Sequence, residues 1–256
     1  MTPSNHALAE SRELKKEKKF SVFLAENEAT KYACLKLRYD IFANEMGASL
    51  PSDRNGLDQD QFDDHSQHLA VFDNHSNEIV ATTRLLNNAG SQQTNGFYSE
   101  TEFDLSNILS KPFQFTEVGR TCIHPDYRCS SALPMLWQGI ARYIVENKID
   151  YLFGCASIPF FNGDKYLRSV MHHLRAKHFS SAELRVHPRI PVRIEEIGPH
   201  ADDAILPTLL KAYLRQGAVI CGEPYWDAAF GVADVFVLLN CEQITDKYSN
   251  HFISRI

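Results

Sequence analysis

Apolar residues recur every three or four positions at Tyr32, Leu35, Tyr39, Phe42 and Met46, which predicts an amphipathic helix from Glu28 to Met46, closed by Gly47. Two apolar runs then flank a polar turn in "HLAVFDNHSNEIVATTRLL", an antiparallel hairpin from about His68 to Leu86. Residues 87–115 are polar, with short apolar pieces such as "FYSETEFDLSNIL", and read as a long loop. A strand follows from Phe115 to Ile123. Its polar exit leads to a helix with Ser130 or Ser131 as N-cap and Leu133, Leu136, Ile140 and Ile144 facing inward. "DYLFGCASI" reads as a strand, and Asp164 to His178 as a helix. The segment "AILPTLLKAYLRQGAVICGEPYWDAAFGVADVFVLL" supplies a helix stopped by Gly217, a short strand, a long turn and a last strand. This order predicts an α/β domain over 20–256, with a mixed sheet and helices on both faces, behind a polar basic tail of residues 1–19.

Composition changes that picture little. An apolar share of 44% and a charged share of 23% are those of an ordinary globular chain. No apolar run is long enough to span a membrane, and the first residues lack the apolar core of a signal peptide. Six scattered cysteines without a C-x-x-C pair fit reduced thiols and a cytoplasmic protein. The cluster Arg12, Lys15, Lys16, Lys18 and Lys19 offers peripheral contact with anionic lipid at the inner membrane face.

The net charge of −6 argues against a nucleic-acid partner, yet the charge is unevenly spread. Residues 40–64 hold seven acids against Arg54 alone, and residues 164–193 hold seven bases against two acids. Either these are two solvated surfaces, or they are one site for a cation and another for an anion. Asp58-x-Asp60 resembles the start of a calcium loop, but Phe62 stands at its fifth position, the glycine is missing, and no metal set is expected.

The stretch "EVGRTCIHPDYRCSSALPMLW" runs from strand to helix N-terminus, a place suited to phosphate. Its loop, Arg128-Cys-Ser-Ser-Ala, holds no glycine. A hairpin, a strand and then I/V-x-P-x-x-R at a helix start resemble the GCN5-related N-acetyltransferase (GNAT) fold, in which this loop grips the acyl donor. "LRYDIFANE", "LDQDQFDDH", "ATTRLL" and "EVGR" further resemble the acyl-homoserine-lactone autoinducer synthases. The tail "KAYLRQGAVICGEPYWDAAFGVADVFVLL", with "LWQGIARYI", "FGCASIP" and "HHLRAKH", resembles the ornithine lipid synthesis N-acyltransferases, also labelled hemolysin-like. That second resemblance covers roughly residues 30–240.

The resemblance implies transfer of a 3-hydroxyacyl chain from acyl carrier protein to the α-amine of ornithine, giving lyso-ornithine lipid. Acyl carrier protein would be partner and co-substrate through its phosphopantetheine, with no resident cofactor. A lactone-forming autoinducer synthase, an N-acyl amino acid synthase using glycine or another amine, and a non-catalytic sensor of acyl carrier protein are the alternatives. Amide formation needs a neutral amine, an aligned carbonyl and donors for the oxyanion. Glu117, on the strand before the donor loop, is the expected base, with Arg120 beside it; the plainer reading makes the two an ion pair. Arg128, Ser130 and Ser131 are the expected donor contacts. Arg38 and Glu45, two helical turns apart, join Asp58, Asp60, Asp63 and Arg84 as the expected acceptor site, its carboxylates meeting the ammonium of a cationic amino acid. Phe97, Tyr98, Phe103, Leu105, Ile108 and Leu109 are the expected wall for the acyl chain.

Overall fold

A computed structural model describes residues 19–50, 55–160, 165–192, 205–242 and 244. Residues 1–18, and with them most of the basic tail, lie outside the described residues. In chain order the elements are β1 (Phe20–Leu24), α1 (Glu28–Tyr39), β2 (Gln67–Asp73), β3 (Glu78–Asn87), α2 (Asn88–Gln93), β4 (Phe103–Asp104), α3 (Ser106–Leu109), β5 (Phe115–Ile123) and α4 (Ala132–Asn147). Then come β6 (Tyr151–Pro159), α5 (Lys165–Lys177), β7 (His187–Pro188), α6 (Thr208–Arg215), β8 (Val219–Ile220), β9 (Tyr225–Asp227) and β10 (Val232–Asn240). The hairpin, the strand 115–123 and the final strand stand where the apolar pattern puts them. The expected helix to Met46 instead passes into a wider π-helical turn over Asp40–Glu45, with Met46 N donating to Ile41 O at 2.9 Å.

The main sheet runs β1-β2-β3-β5-β6-β10-β8, and β9 also pairs with β10. Among the described residues every neighbour pair in it is antiparallel except β5 and β6. Side chains alternate between its faces. Leu85, Val118, Ala156 and Val235 point to one face, where α4, α5 and α6 close the larger core with Leu136, Ile140, Val170 and Leu210. Leu86, Phe115, Phe153 and Phe236 point to the other, where the long loop packs as a second core. That face also receives α1.

The loop between β3 and β5 is more structured than its polarity suggests. Phe97, Phe103, Leu105 and Ile108 are buried against Phe153 and Phe236, so they serve as core. Of the six residues expected to line an acyl channel, only Tyr98 reaches the cavity described next.

Two irregularities shape the centre of the sheet. The parallel pairing of β5 with β6 covers only Phe115↔Tyr151, Thr116↔Leu152 and Glu117↔Phe153, after which the strands fork. At the fork Gly154 sits so close that a Cβ on it would lie 2.3 Å from Val118 O. The second irregularity is a bulge. Arg84 pairs with Gly119 but Thr82 with Cys122, so Thr83 faces both Arg120 and Thr121. Arg120 takes a left-handed backbone (φ 51°), which costs a residue with a side chain about 1–3 kcal/mol. The bulge resets the alternation, and the Arg120 guanidinium turns to the face that carries Arg84 and Glu117.

Candidate active site

A cavity of about 500 Å³ opens at the fork. Its walls are the diverging strands, Arg128 just before α4 and Leu133 in its first turn, Ile41 and Phe42 behind α1, Leu210 and Tyr213 of α6, Asp227 of β9, Phe230 of the following turn and Asp234 of β10. Arg84, Tyr98, Glu117 and Arg120 line it as well.

The expected acceptor residues divide into an interior cluster and a surface pair. Arg38 is fully buried: Nε donates to Asp58 at 2.7 Å, and the guanidinium forks onto Asp63 at 2.7 and 3.2 Å. Arg84 donates to Asp60 at 2.6 Å and to Asp63 at 3.3 Å. Arg120 reaches Asp58 and Asp60 at 3.3 Å each. Three guanidinium groups thus face three carboxylates, a charge-balanced knot that ties α1 and the loop after it to β3 and β5. Burial works against the charge on Arg38, but Asp63 and Asp58 outweigh it and raise its pKa. Burial likewise works against the Asp63 carboxylate, while Arg38 and Arg84 hold it below the usual range. His68, buried beside this knot, is held neutral, its pKa lowered to about 4 by burial.

This knot corrects the expectation of a carboxylate cradle for a substrate cation. Arg38, Asp58 and Asp63 are 0–1% exposed and do not line the cavity. The knot's own arginines already neutralise its carboxylates. Only Arg84 and Arg120 present it to the cavity. The dense acid count of residues 40–64 is therefore in good part an interior feature.

Glu45 is not on the face of Arg38. The π turn carries it around the helix axis to the surface, where it pairs both oxygens with Arg128 at 2.6 and 2.7 Å. An expected acceptor residue and an expected donor residue are thus each other's partners. Arg128 also donates from Nε to Ile123 O at 3.2 Å. Of the two serines, Ser130 acts as the cap, accepting from Ala132 N at 3.1 Å and donating to Tyr127 O at 2.6 Å. Ser131 makes no side-chain cap bond. Residues 125–127 form a 3₁₀ turn, Arg128 keeps right-handed angles (φ −64°), and Ser131 keeps a negative φ (−81°). No described residue from 124 to 131 has a positive φ, which is why the loop needs no glycine.

Glu117 is 4% exposed and accepts from Tyr98 N at 2.8 Å, from Ser99 N at 2.6 Å and from the Ser99 hydroxyl. It therefore caps the 3₁₀ turn Tyr98–Thr101, and no Glu117–Arg120 ion pair is formed. Burial raises its pKa, against the lowering effect of Ser99 and Arg84. The turn that it fixes sets the Tyr98 ring over Arg120 at 4.9 Å and Arg84 at 5.8 Å. Phe230 covers Arg120 from another side at 5.3 Å. Cys122 lines the cavity, but burial pushes its thiol far up, away from a nucleophilic thiolate.

Sequence reasoning missed a second acidic wall, made of Glu102, Asp227 and Asp234, all buried and close to one another. Glu102 is held protonated well above the usual carboxylate range, to about 8, by burial and by Asp234. Asp234 rises to about 7, again through burial first. One signal was visible: Asp234 interrupts an otherwise apolar strand, "VADVFVLL".

Comparison with known proteins now bears on this arrangement. Residues 37–138 match the acetyltransferase (GNAT) domain family. The chain is 33% identical over 253 residues to an L-ornithine N(alpha)-acyltransferase from Brucella abortus, covering 90% of this chain and 88% of that one. It is 30% identical to the same-named protein from Rhodobacter capsulatus, over 93% of this chain and 96% of that one. The chain belongs to the L-ornithine N(alpha)-acyltransferase family. The fold has solved neighbours as well. A CoA-dependent acyl-homoserine lactone synthase superposes with TM-score 0.53 at 13% identity, over 88% of this chain and 82% of that one. An N-acyl amino acid synthase from uncultured soil microbes gives TM-score 0.50 at 10% identity, over 88% and 92%. For this family member, then, the forked sheet is the GNAT fold, and the cavity at the fork is its candidate active site.

Proposed function

We propose that this acyltransferase moves a long 3-hydroxyacyl chain from the phosphopantetheine thioester of acyl carrier protein to the α-amine of L-ornithine, giving a lyso-ornithine lipid. The observation that carries the reading is the cavity at the β5–β6 fork, with arginines on one wall and carboxylates on another. An acceptor that bears both a carboxylate and ammonium groups matches that division of charge. Ile41, Phe42, Met46 and Leu133 give the cavity an apolar side for the acyl chain. Past Glu117 and Phe153 the forked strands are unpaired to each other, so an extended thioester arm can add to their edges through backbone hydrogen bonds.

In the reaction the neutral amine nitrogen attacks the thioester carbonyl carbon. The C–S bond then breaks, and the amine proton leaves to the departing thiolate or to solvent. The chain's part is to exclude water, align the two reactants and offer strand N–H groups to the developing oxyanion. Arg120 suits the acceptor carboxylate, since both its ion contacts are long and its Nε makes no hydrogen bond in the free protein. Arg128, drawn from Glu45, suits the donor phosphate beside the α4 N-terminus.

The choice of carrier protein over coenzyme A follows the family resemblance. The missing glycines do not bear on it, because no described residue of the loop takes a positive φ. The test is to incubate purified protein with matched 3-hydroxyacyl thioesters of both carriers and an amino-acid panel, with the product identified by mass. Acyl-ornithine formed at higher kcat/KM from the carrier-protein thioester supports the proposal. Equal use of coenzyme A overturns the donor, and acylation of another amine alone overturns the acceptor.

A further inference from the structure

Three carboxylates outside the arginine knot meet at the cavity. Asp227 on β9 and Asp234 on β10 line it, and Glu102 comes from the turn after Tyr98. One oxygen of each lies within 4.8 Å of one oxygen of both others. Glu102 is 2% exposed and Asp234 4%; the Cys155 thiol and the Tyr98 hydroxyl lie near Glu102 and the Ser157 hydroxyl near Asp234, yet neither Glu102 oxygen nor Asp234 Oδ1 receives a well-aligned hydrogen bond. Asp227 differs, since its Oδ1 accepts from Ala229 N and Phe230 N at 2.9 and 3.2 Å. Buried acceptors left unmatched are costly, and a fold keeps them where something else supplies the donors.

We propose that Glu102, Asp227 and Asp234 form the subsite for the side-chain ammonium of the cationic amino-acid acceptor, holding it as the end of the diamino acid that does not react. This rests on the acceptor reading above. A primary ammonium directs three N–H donors tetrahedrally, and at about 2.8 Å each they reach oxygens about 4.6 Å apart, a spacing that falls inside the 4.8 Å within which the cluster's oxygens lie. Carboxylates around an amine stabilise its protonated form and so suppress its nucleophilicity. The cluster therefore suits the amine that must stay out of the reaction. With the acceptor carboxylate at Arg120, the amino acid is held at both charged ends and the α-amine is left to react.

The test compares L-ornithine with 2-aminopentanoic acid, the same frame without the side-chain ammonium, in the wild type, Glu102→Gln and Asp234→Asn. Truncating a partner in a buried charged contact should lower kcat/KM for ornithine at least about 30-fold. The value for 2-aminopentanoic acid should stay within about threefold, so that the preference collapses. Equal losses on both acceptors in folded variants overturn the subsite. So does a retained preference, and so does native mass spectrometry showing a stoichiometric divalent ion that ornithine does not displace. If the variants fail to fold, the wild-type preference decides: none for ornithine over 2-aminopentanoic acid overturns the subsite. A wild type that acylates some other amine and never ornithine overturns the acceptor reading itself, which separates the two failures.

Discussion

Replacing Glu117 with glutamine separates a base from an anchor. In the structure both carboxylate oxygens are engaged by donors of one turn: Ser99 N and the Ser99 hydroxyl on one, Tyr98 N on the other. Glutamine has a single acceptor oxygen, so it can keep the Ser99 side or the Tyr98 side. On the remaining side its own NH₂ faces a backbone N–H. Losing a hydrogen bond to a charged group costs about 1.5–3 kcal/mol, and a buried unmatched donor adds to that. Relief from burying a charge offsets part of the loss, which leaves a net cost of about 2 kcal/mol. For a chain of this size that lowers Tm by roughly 4–8 °C. Thermal unfolding followed by circular dichroism, beside initial rates on the same preparation, makes the comparison. The anchor role predicts the Tm loss together with a raised ornithine KM, because Tyr98 no longer holds its place over Arg120. A variant that keeps the wild-type Tm and ornithine KM while kcat falls a hundredfold, with the acidic limb of the pH profile gone, would refute the anchor and restore the base.

Arg38→Met leaves Asp58 and Asp63 buried without their main partner and should cost about 3–5 kcal/mol, read as a large drop in the urea midpoint; an unchanged midpoint would place Arg38 outside the interior knot. Glu45→Gln frees Arg128 from an exposed pair, so stability should change by no more than about 1 kcal/mol while the KM for the acyl donor falls and Arg128→Ala raises it; a donor KM indifferent to both would remove Arg128 from the donor site. In the free protein Glu102 and Asp234 titrate at about 8 and about 7, above their unfolded values, so the folded state binds more protons than the unfolded state between these limits. Their contribution is fully present below the ordinary carboxylate range and is lost as the pH rises toward about 8; Glu102→Gln with Asp234→Asn should flatten that decline in substrate-free denaturation curves, and an unflattened decline would put its origin elsewhere.

The elements that could be read from the sequence are those whose cores alternate locally. β2, β3, β5 and β10 fall where the apolar runs lie, because each strand buries its own residues in one sheet. α1 is legible for the same reason. Arg38 was already visible as an arginine three residues after Leu35 on the apolar stripe, and the structure places it inside. The end of that helix was not legible. The π turn at Asp40–Glu45 leaves no mark on the hydrophobic period, yet it decides whether Glu45 faces inward with Arg38 or outward to Arg128.

The site itself was half legible, and the division follows from how far a contact reaches along the chain. Residues near the donor loop, such as Arg120 on β5 and Arg128 after the turn that follows it, stand in one short segment, so a motif can carry them. The acidic wall draws Glu102 from one loop and Asp227 and Asp234 from a hairpin more than a hundred residues later, and no spacing joins them. What the sequence did show was an excess of acid at residues 40–64, and charge density there pointed to a cation site. Density counts carboxylates but not their partners. Asp58, Asp60 and Asp63 each face an arginine from α1, β3 or β5, with Asp58 Oδ1 the one oxygen of the three left over, whereas Glu102 and Asp234, isolated in sequence, face no arginine in an ion pair and leave both Glu102 oxygens and Asp234 Oδ1 without a hydrogen bond. A substrate cation gains most where carboxylates are buried and unmatched, so the sparse acids and not the dense ones form the better candidate for it.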